Sequence, residues 1–172
     1  MDNKLTFIIG GARSGKTAFA LKLASESSGK KVYLATAEAA DDEMRLRIER
    51  HKAERGNDWR TIEEPLGVAA AINSLAGQDA KVIVIDCLTL WLSNSIVHAD
   101  DVILDEATTL MRAMTTADCP VIAISNEVGW GIVPENGLAR RFRDLAGGVN
   151  QMMAKAASSV YFVAAGIPLK LK

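Results

Sequence analysis

Eight residues near the N-terminus, Gly10-Gly11-Ala12-Arg13-Ser14-Gly15-Lys16-Thr17, follow the spacing G-x-x-x-x-G-K-[ST]. Each residue type has a task in holding a phosphate chain. Glycines let the backbone turn tightly, so that successive N–H groups converge on phosphate oxygens. A helix opening near Gly15 adds unpaired N–H groups and the positive end of its dipole. An amine at Lys16 can reach the β- and γ-phosphates, and the Thr17 hydroxyl is a hard oxygen suited to Mg²⁺. The alternative, a glycine turn that binds nothing, leaves the strand before the loop and the helix after it unexplained. Asp86 is the natural partner: it ends the apolar run Lys81–Asp86 (KVIVID). A carboxylate there can hold Mg²⁺ directly or through water, or it is a surface aspartate that simply ends a strand.

A second constellation lies in Asp42–Arg60 (DEMRLRIERHKAERGNDWR). As a helix it places Met44, Ile48 and His51 on one side and Arg47, His51 and Arg55 along one stripe. One reading is a solvated basic helix balanced by Glu43, Glu49 and Glu54. The other is a nucleophilic imidazole flanked by guanidinium groups. A neutral imidazole at His51 can attack an α-phosphorus, while arginines hold the charged oxygens. His98, the other histidine, falls in a polar stretch before Asp100 and is expected to be exposed. The N-K-x-D signature of guanine-reading switch proteins is absent. The D-x-x-G at Asp144–Gly147 falls inside an expected helix.

The elements that must position these residues alternate between strand-like and helix-like. Buried strands are expected at Leu5–Gly10, Lys31–Thr36, Lys81–Asp86, Val121–Ser125 and Ser159–Ala164, with shorter ones at Trp59–Ile62 and Leu169–Leu171. Helices are expected at Gly15–Ser27, from Asp41 or Asp42 to Arg55, and at Val68–Leu75, Val102–Thr116 and Leu138–Ala157. The last carries an apolar stripe of Leu138, Phe142, Leu145, Val149 and Met152. Leu88–Ser95 is open between helix and loop, and the glycines of Glu127–Gly137 mark a loop. Such alternation predicts an α/β chain with a mainly parallel sheet covered on both faces, chemistry gathering at the carboxyl ends of its strands. Thr36, Asp86 and Asn126 fall at those ends. Asn126–Gly129 can shape a substrate side or simply pack. Arg140, Arg141 and Arg143 can meet phosphate or a neighbouring subunit, or form a solvated face.

The chain has 172 residues, 49% hydrophobic and 24% charged, enough for one domain over residues 1–172 with a substantial core. Its 20 basic and 21 acidic residues leave a formal charge of -1, which argues against a general nucleic-acid binder. Cys87 and Cys119 have no metal-ligand spacing and read as buried, reduced thiols. The apolar stretch Val82–Leu92, broken by Asp86, is too short to span a bilayer. No signal peptide is evident, so a cytoplasmic setting is expected.

Taken together, the blocks resemble one family: the bifunctional adenosylcobinamide kinase / adenosylcobinamide-phosphate guanylyltransferases of cobalamin biosynthesis. The resemblance rests on GGARSGKT (Gly10–Thr17), YLATA (Tyr33–Ala37), Asp41–Pro65, IDCLTLWLSN (Ile85–Asn94), Ser125–Gln151 and the ending GIPLKLK (Gly166–Lys172), in order over nearly the whole chain. It implies a P-loop NTPase-type three-layer fold. It also implies that ATP or GTP phosphorylates adenosylcobinamide. GMP then passes from GTP through a histidine to adenosylcobinamide phosphate, with Mg²⁺ as cofactor. Arg47-Ile48-Glu49-Arg50-His51 puts His51 in the nucleophile's place. By the same resemblance Thr36, Ala37, Glu38, Lys52, Ala53, Glu54, Arg55 and Glu63 contact nucleotide, and the subunits form a homotrimer. Asp86 matches an acidic position that some relatives fill with Glu, leaving open whether it meets Mg²⁺ or the guanine edge. The residues alone leave two rivals. One is a kinase that never uses His51, against which the Arg47–His51–Arg55 stripe weighs. The other is a nucleotide-driven binding module, against which the missing switch signature weighs.

Overall fold

The computed structural model describes residues 4–37, 56 and 58–172. The helix expected from Asp41 or Asp42 to Arg55 lies outside the described residues, and with it His51, Glu38 and Lys52–Arg55.

In chain order the elements are β1 (Leu5–Gly10), α1 (Lys16–Ser25), β2 (Lys31–Ala35), β3 (Trp59–Glu63), α2 (Val68–Ser74) and β4 (Val82–Asp86). They continue with α3 (Leu88–Ser95), α4 (Asp100–Thr116), β5 (Val121–Asn126), α5 (Gly137–Ala156), β6 (Ser159–Ala164) and β7 (Ile167–Lys170). The seven strands form one sheet in the order β3-β2-β4-β5-β1-β6-β7. All pairings are parallel except β6 with β7.

Two-residue periodicity divides the buried strand residues between two cores. Leu5, Phe7, Val32, Leu34, Ile83, Ile85, Val121 and Ala123 pack on the side covered by α2, α3, α4 and α5. Ile8, Tyr33, Ala35, Val82, Val84, Ile122 and Ile124 pack on the opposite side with Ala20 and Ala24 of α1. The result is the expected three-layer α/β architecture. Among the described residues, no helix is long and apolar enough to cross a membrane.

Three segments differ from the sequence reading. Leu88–Ser95, open between helix and loop, is helical, with Leu88, Trp91, Leu92 and Ser95 buried at helical spacing. Its apolar run carried no clean period because polar Thr89 is buried while apolar Leu90 is exposed. The final strand begins at Ile167 rather than Leu169 and runs antiparallel to β6. Ala165 (φ 50) and Gly166 (φ 80) explain the reversal, since a two-residue turn with both φ positive matches strand twist. In α5 the buried row is Leu145, Ala146, Val149, Asn150 and Met153, whereas Leu138 in the first turn is exposed. Small and polar residues thus share a face that hydropathy alone assigned to the larger side chains. Cys87 is buried, as expected; Cys119 is only half-buried.

Candidate active site

The site forms where β1, β4, β5 and β2 end. After β1 the chain turns through residues 11–15 and enters α1. A Cβ at Gly10 would lie 2.3 Å from the carbonyl oxygen of Val163 on β6, so only glycine lets β1 pass there. Gly15 has φ 98, a left-handed conformation that glycine adopts freely, and a Cβ on it would meet the Gly166 Cα at 3.0 Å. Two backbone bonds pin the loop: Glu127 N–H donates to Gly10 O at 3.0 Å, and Gly166 N–H to Ser14 O at 2.8 Å. Among the described residues, no side chain caps the first turn of α1, which leaves its N–H groups for a ligand. The Ser14 hydroxyl is buried and has no hydrogen-bond partner among the described residues. A buried hydroxyl left unbonded is costly, and a phosphate oxygen would satisfy it. Ala12 and Arg13 form the exposed crest of the loop.

Lys16 is only 6% exposed, and its ammonium donates to Gly11 O at 2.6 Å. Burial lowers its pKa from the ordinary 10.5, while charge on Cys87 and Asp86 pulls the other way. Thr17, the next residue, donates from Oγ1 to Asp86 Oδ2 at 2.8 Å. Parity along β4 explains this meeting. Asp86 follows Val82 and Val84 onto the side that α1 covers. Tyr33 shares that side from β2 and donates its hydroxyl to the same Oδ2 at 2.6 Å.

Behind Asp86, burial and the neighbouring carboxylate push the Cys87 thiol up to about 11. Thr36 is fully buried; its hydroxyl donates to Cys87 O and accepts from Cys87 N–H, both at 2.7 Å. Asn94 Nδ2 donates to Thr36 O and Pro65 O, tying α3 to the same corner. The Thr36 side chain therefore fixes the end of β4. Ala37 is half-buried beside it, and Glu63 is exposed at the end of β3. Asn126 ends β5 opposite Gly10, and its N–H donates to Thr89 Oγ1 at 2.6 Å.

The arginines of α5 stay within the chain. Arg141 donates to Asp100, Ile96 O and His98 O, stapling α5 to the connection between α3 and α4. Arg140 bonds Pro134 O and Glu135 O, and Arg143 pairs with Asp144. His98 is exposed, as expected, and lies 3.6 Å from Glu106. Tyr33, Thr89 and Asn94 lie in the YLATA and IDCLTLWLSN blocks, but the sequence reading assigned them no role; their part in the site comes from strand and helix neighbours far away in sequence.

Mg²⁺ takes oxygen ligands in an octahedron, with few from protein and the rest from phosphate and water. Thr17 Oγ1 and Asp86 fit that donor set. Asp86 Oδ1 accepts no hydrogen bond from the described residues, because Thr17 and Tyr33 both donate to Oδ2. No cluster of three or more His, Cys, Asp or Glu occurs among the described residues, so a metal held mainly by protein does not fit them. A buried ammonium, an unbonded hydroxyl, open N–H groups and a paired hydroxyl and carboxylate together can hold a triphosphate with its cation.

A profile of the family described as cobinamide kinase / cobinamide phosphate guanyltransferase matches residues 6–171. The bifunctional adenosylcobalamin biosynthesis protein CobP of Pseudomonas aeruginosa is 44% identical over 166 residues, covering 96% of this chain and 95% of that protein. The bifunctional adenosylcobalamin biosynthesis proteins CobU of Escherichia coli and Salmonella typhimurium are 36% and 38% identical. Each match covers 98% of this chain and 99% of the relative.

Proposed function

The chain belongs to the cobinamide kinase / cobinamide phosphate guanyltransferase family, and we propose on that premise that one phosphate loop serves two successive transfers to the same corrinoid. The enzyme is a bifunctional transferase of cobalamin biosynthesis, an adenosylcobinamide kinase and an adenosylcobinamide-phosphate guanylyltransferase. The observation that carries the reading is the Thr17–Asp86 hydrogen bond beside a buried Lys16, at the mouth of a loop with an unbonded Ser14 hydroxyl.

In the first transfer the aminopropanol hydroxyl of adenosylcobinamide attacks the γ-phosphorus of ATP or GTP. A new O–P bond forms, the bond to the β,γ-bridging oxygen breaks, and the hydroxyl proton leaves. Lys16 and the N–H groups of residues 11–17 hold the charged oxygens in place. In the second, an imidazole nitrogen of His51 attacks the α-phosphorus of GTP, and pyrophosphate leaves. An oxygen of the substrate phosphate then attacks the same phosphorus. The N–P bond breaks, freeing His51 and giving adenosylcobinamide-GDP. Attack at two different phosphorus atoms requires two triphosphate poses against one loop.

Mg²⁺ bound by Thr17 and Asp86 would neutralise phosphate oxygens in both poses. Ala37, Glu38, Lys52, Ala53, Glu54, Arg55 and Glu63 contact nucleotide in this reading, and Thr36 acts on it through Cys87 and the end of β4. The resemblance supports a homotrimer, and dependence on nucleoside triphosphates supports a cytoplasmic setting.

GTP labelled at the α-phosphorus tests the second transfer. Wild-type protein, denatured after incubation with GTP and Mg²⁺, should retain label that acid removes and base does not. His51→Ala should retain none. Label on the His51→Ala chain, or none on wild type that binds GTP, would remove His51 from the mechanism.

A further inference from the structure

We propose that Tyr33 is a positioning residue for the Asp86 carboxylate and sets the affinity of the nucleotide site for its divalent cation. The inference rests on the reading of Asp86 as a cation ligand and adds to it a residue to which the sequence reading assigned no role.

Tyr33 lies in the middle of β2, two residues before its end, and pairs in register with Val84 of β4. Strand order makes the meeting possible, because β2 and β4 are neighbours although 53 residues separate Tyr33 from Asp86. Parity places both side chains on the face under α1. Tyr33 is 5% exposed, and its ring packs edge-on against Trp59, with centroids 6.3 Å apart. A phenylalanine would fill that space equally well. A buried hydroxyl costs stability unless it is bonded, so this one has a use at its far end. Its bond to Asp86 Oδ2, at 2.6 Å, has the length of a charge-assisted O–H···O⁻ contact.

Asp86 therefore receives two donors on one oxygen, Thr17 from α1 and Tyr33 from β2. Two bonds from different directions fix the rotation of the carboxylate. They occupy Oδ2 and leave Oδ1 as the oxygen for a cation. Among the described residues, removing the Tyr33 hydroxyl leaves Thr17 as the one donor to the carboxylate, and Thr17 is itself a candidate ligand. A ligand's supporting hydrogen bonds commonly change metal affinity by about tenfold or more when lost.

The test uses the full chain with a non-hydrolysable GTP analogue and Mn²⁺, free Mn²⁺ being measured by electron paramagnetic resonance. Wild type, Tyr33→Phe, Asp86→Asn and the double variant complete a cycle, with thermal melting recorded for each. Asp86→Asn should bind Mn²⁺ most weakly among the single variants. Tyr33→Phe should raise the Mn²⁺ Kd about tenfold. In the Asp86→Asn background, Tyr33→Phe should add nothing further. A melting shift in Tyr33→Phe with wild-type Mn²⁺ affinity would make the hydroxyl merely structural and overturn the proposal. So would an equal loss of affinity in both backgrounds. Wild-type Mn²⁺ binding by Asp86→Asn is a separate result: it would remove Asp86 as the ligand and this inference with it.

Discussion

Gly10→Ala should destabilise the fold by an amount that follows from one distance. The added Cβ would sit 2.3 Å from the Val163 carbonyl oxygen, roughly 1 Å short of ordinary contact. Neither side yields easily. Val163 is fully buried on β6, which pairs with β1. Gly10 is held from the other side by its register with Asn126 and by the Glu127 N–H on its carbonyl. Forcing β1 and β6 apart stretches ladder bonds worth about 1 kcal/mol each, on top of an overpacking cost of about 1–3 kcal/mol. A total of about 3 kcal/mol lowers the melting temperature of a domain this size by about 6–12 °C. Gly11→Ala is the control. Among the described residues nothing lies within 4 Å of a Cβ there, and stability should hold to within about 0.5 kcal/mol. Thermal and urea unfolding of the full chain, followed by circular dichroism, measure both. If Gly10→Ala melts like wild type, or Gly11→Ala falls as far, close approach of β1 and β6 is not what requires glycine at position 10.

Lys16→Ala should keep a native circular dichroism spectrum and lose the kinase step by about 10²-fold or more, read with γ-labelled ATP; turnover near wild type would refute its role. Because burial holds the Lys16 pKa below 10.5, the unfolded chain binds this proton more tightly than the folded one. Its contribution makes the ligand-free protein more stable as pH rises from the folded pKa towards 10.5, and the difference between wild type and Lys16→Met across that range should show this slope. With a thiol pKa of about 11 rather than 9.0, Cys87 carries about a hundredfold less thiolate at a given pH below 9. Iodoacetamide at pH 8 should therefore leave Cys87 unmodified in the native protein and label it after denaturation, as mass spectrometry of the peptides would report.

Local chemistry explains what could be read from the chain alone. A phosphate loop is one contiguous turn, so residues 10–17 announce it through glycine spacing, and the strand and helix around it are equally local. Apolar strand-like runs alternating with helix-like segments pointed to a mainly parallel sheet before any strand order was known. Asp86 was legible because a carboxylate ending an apolar strand is unusual in itself. Tertiary structure decided what depends on which strands become neighbours. Placing β2 beside β4 gave Asp86 its Tyr33 donor and committed the Thr36 hydroxyl to Cys87. Packing of α5 against the α3–α4 connection gave Arg141 three partners within the chain, on a helix that sequence left open to phosphate, subunit or solvent. Helix propensity was indifferent over Leu88–Ser95, and burial of Trp91 and Leu92 in the core settled it. Residue order sets each side chain's face and spacing, but a hydrogen bond across 53 residues exists only once strand order and register bring donor and acceptor together.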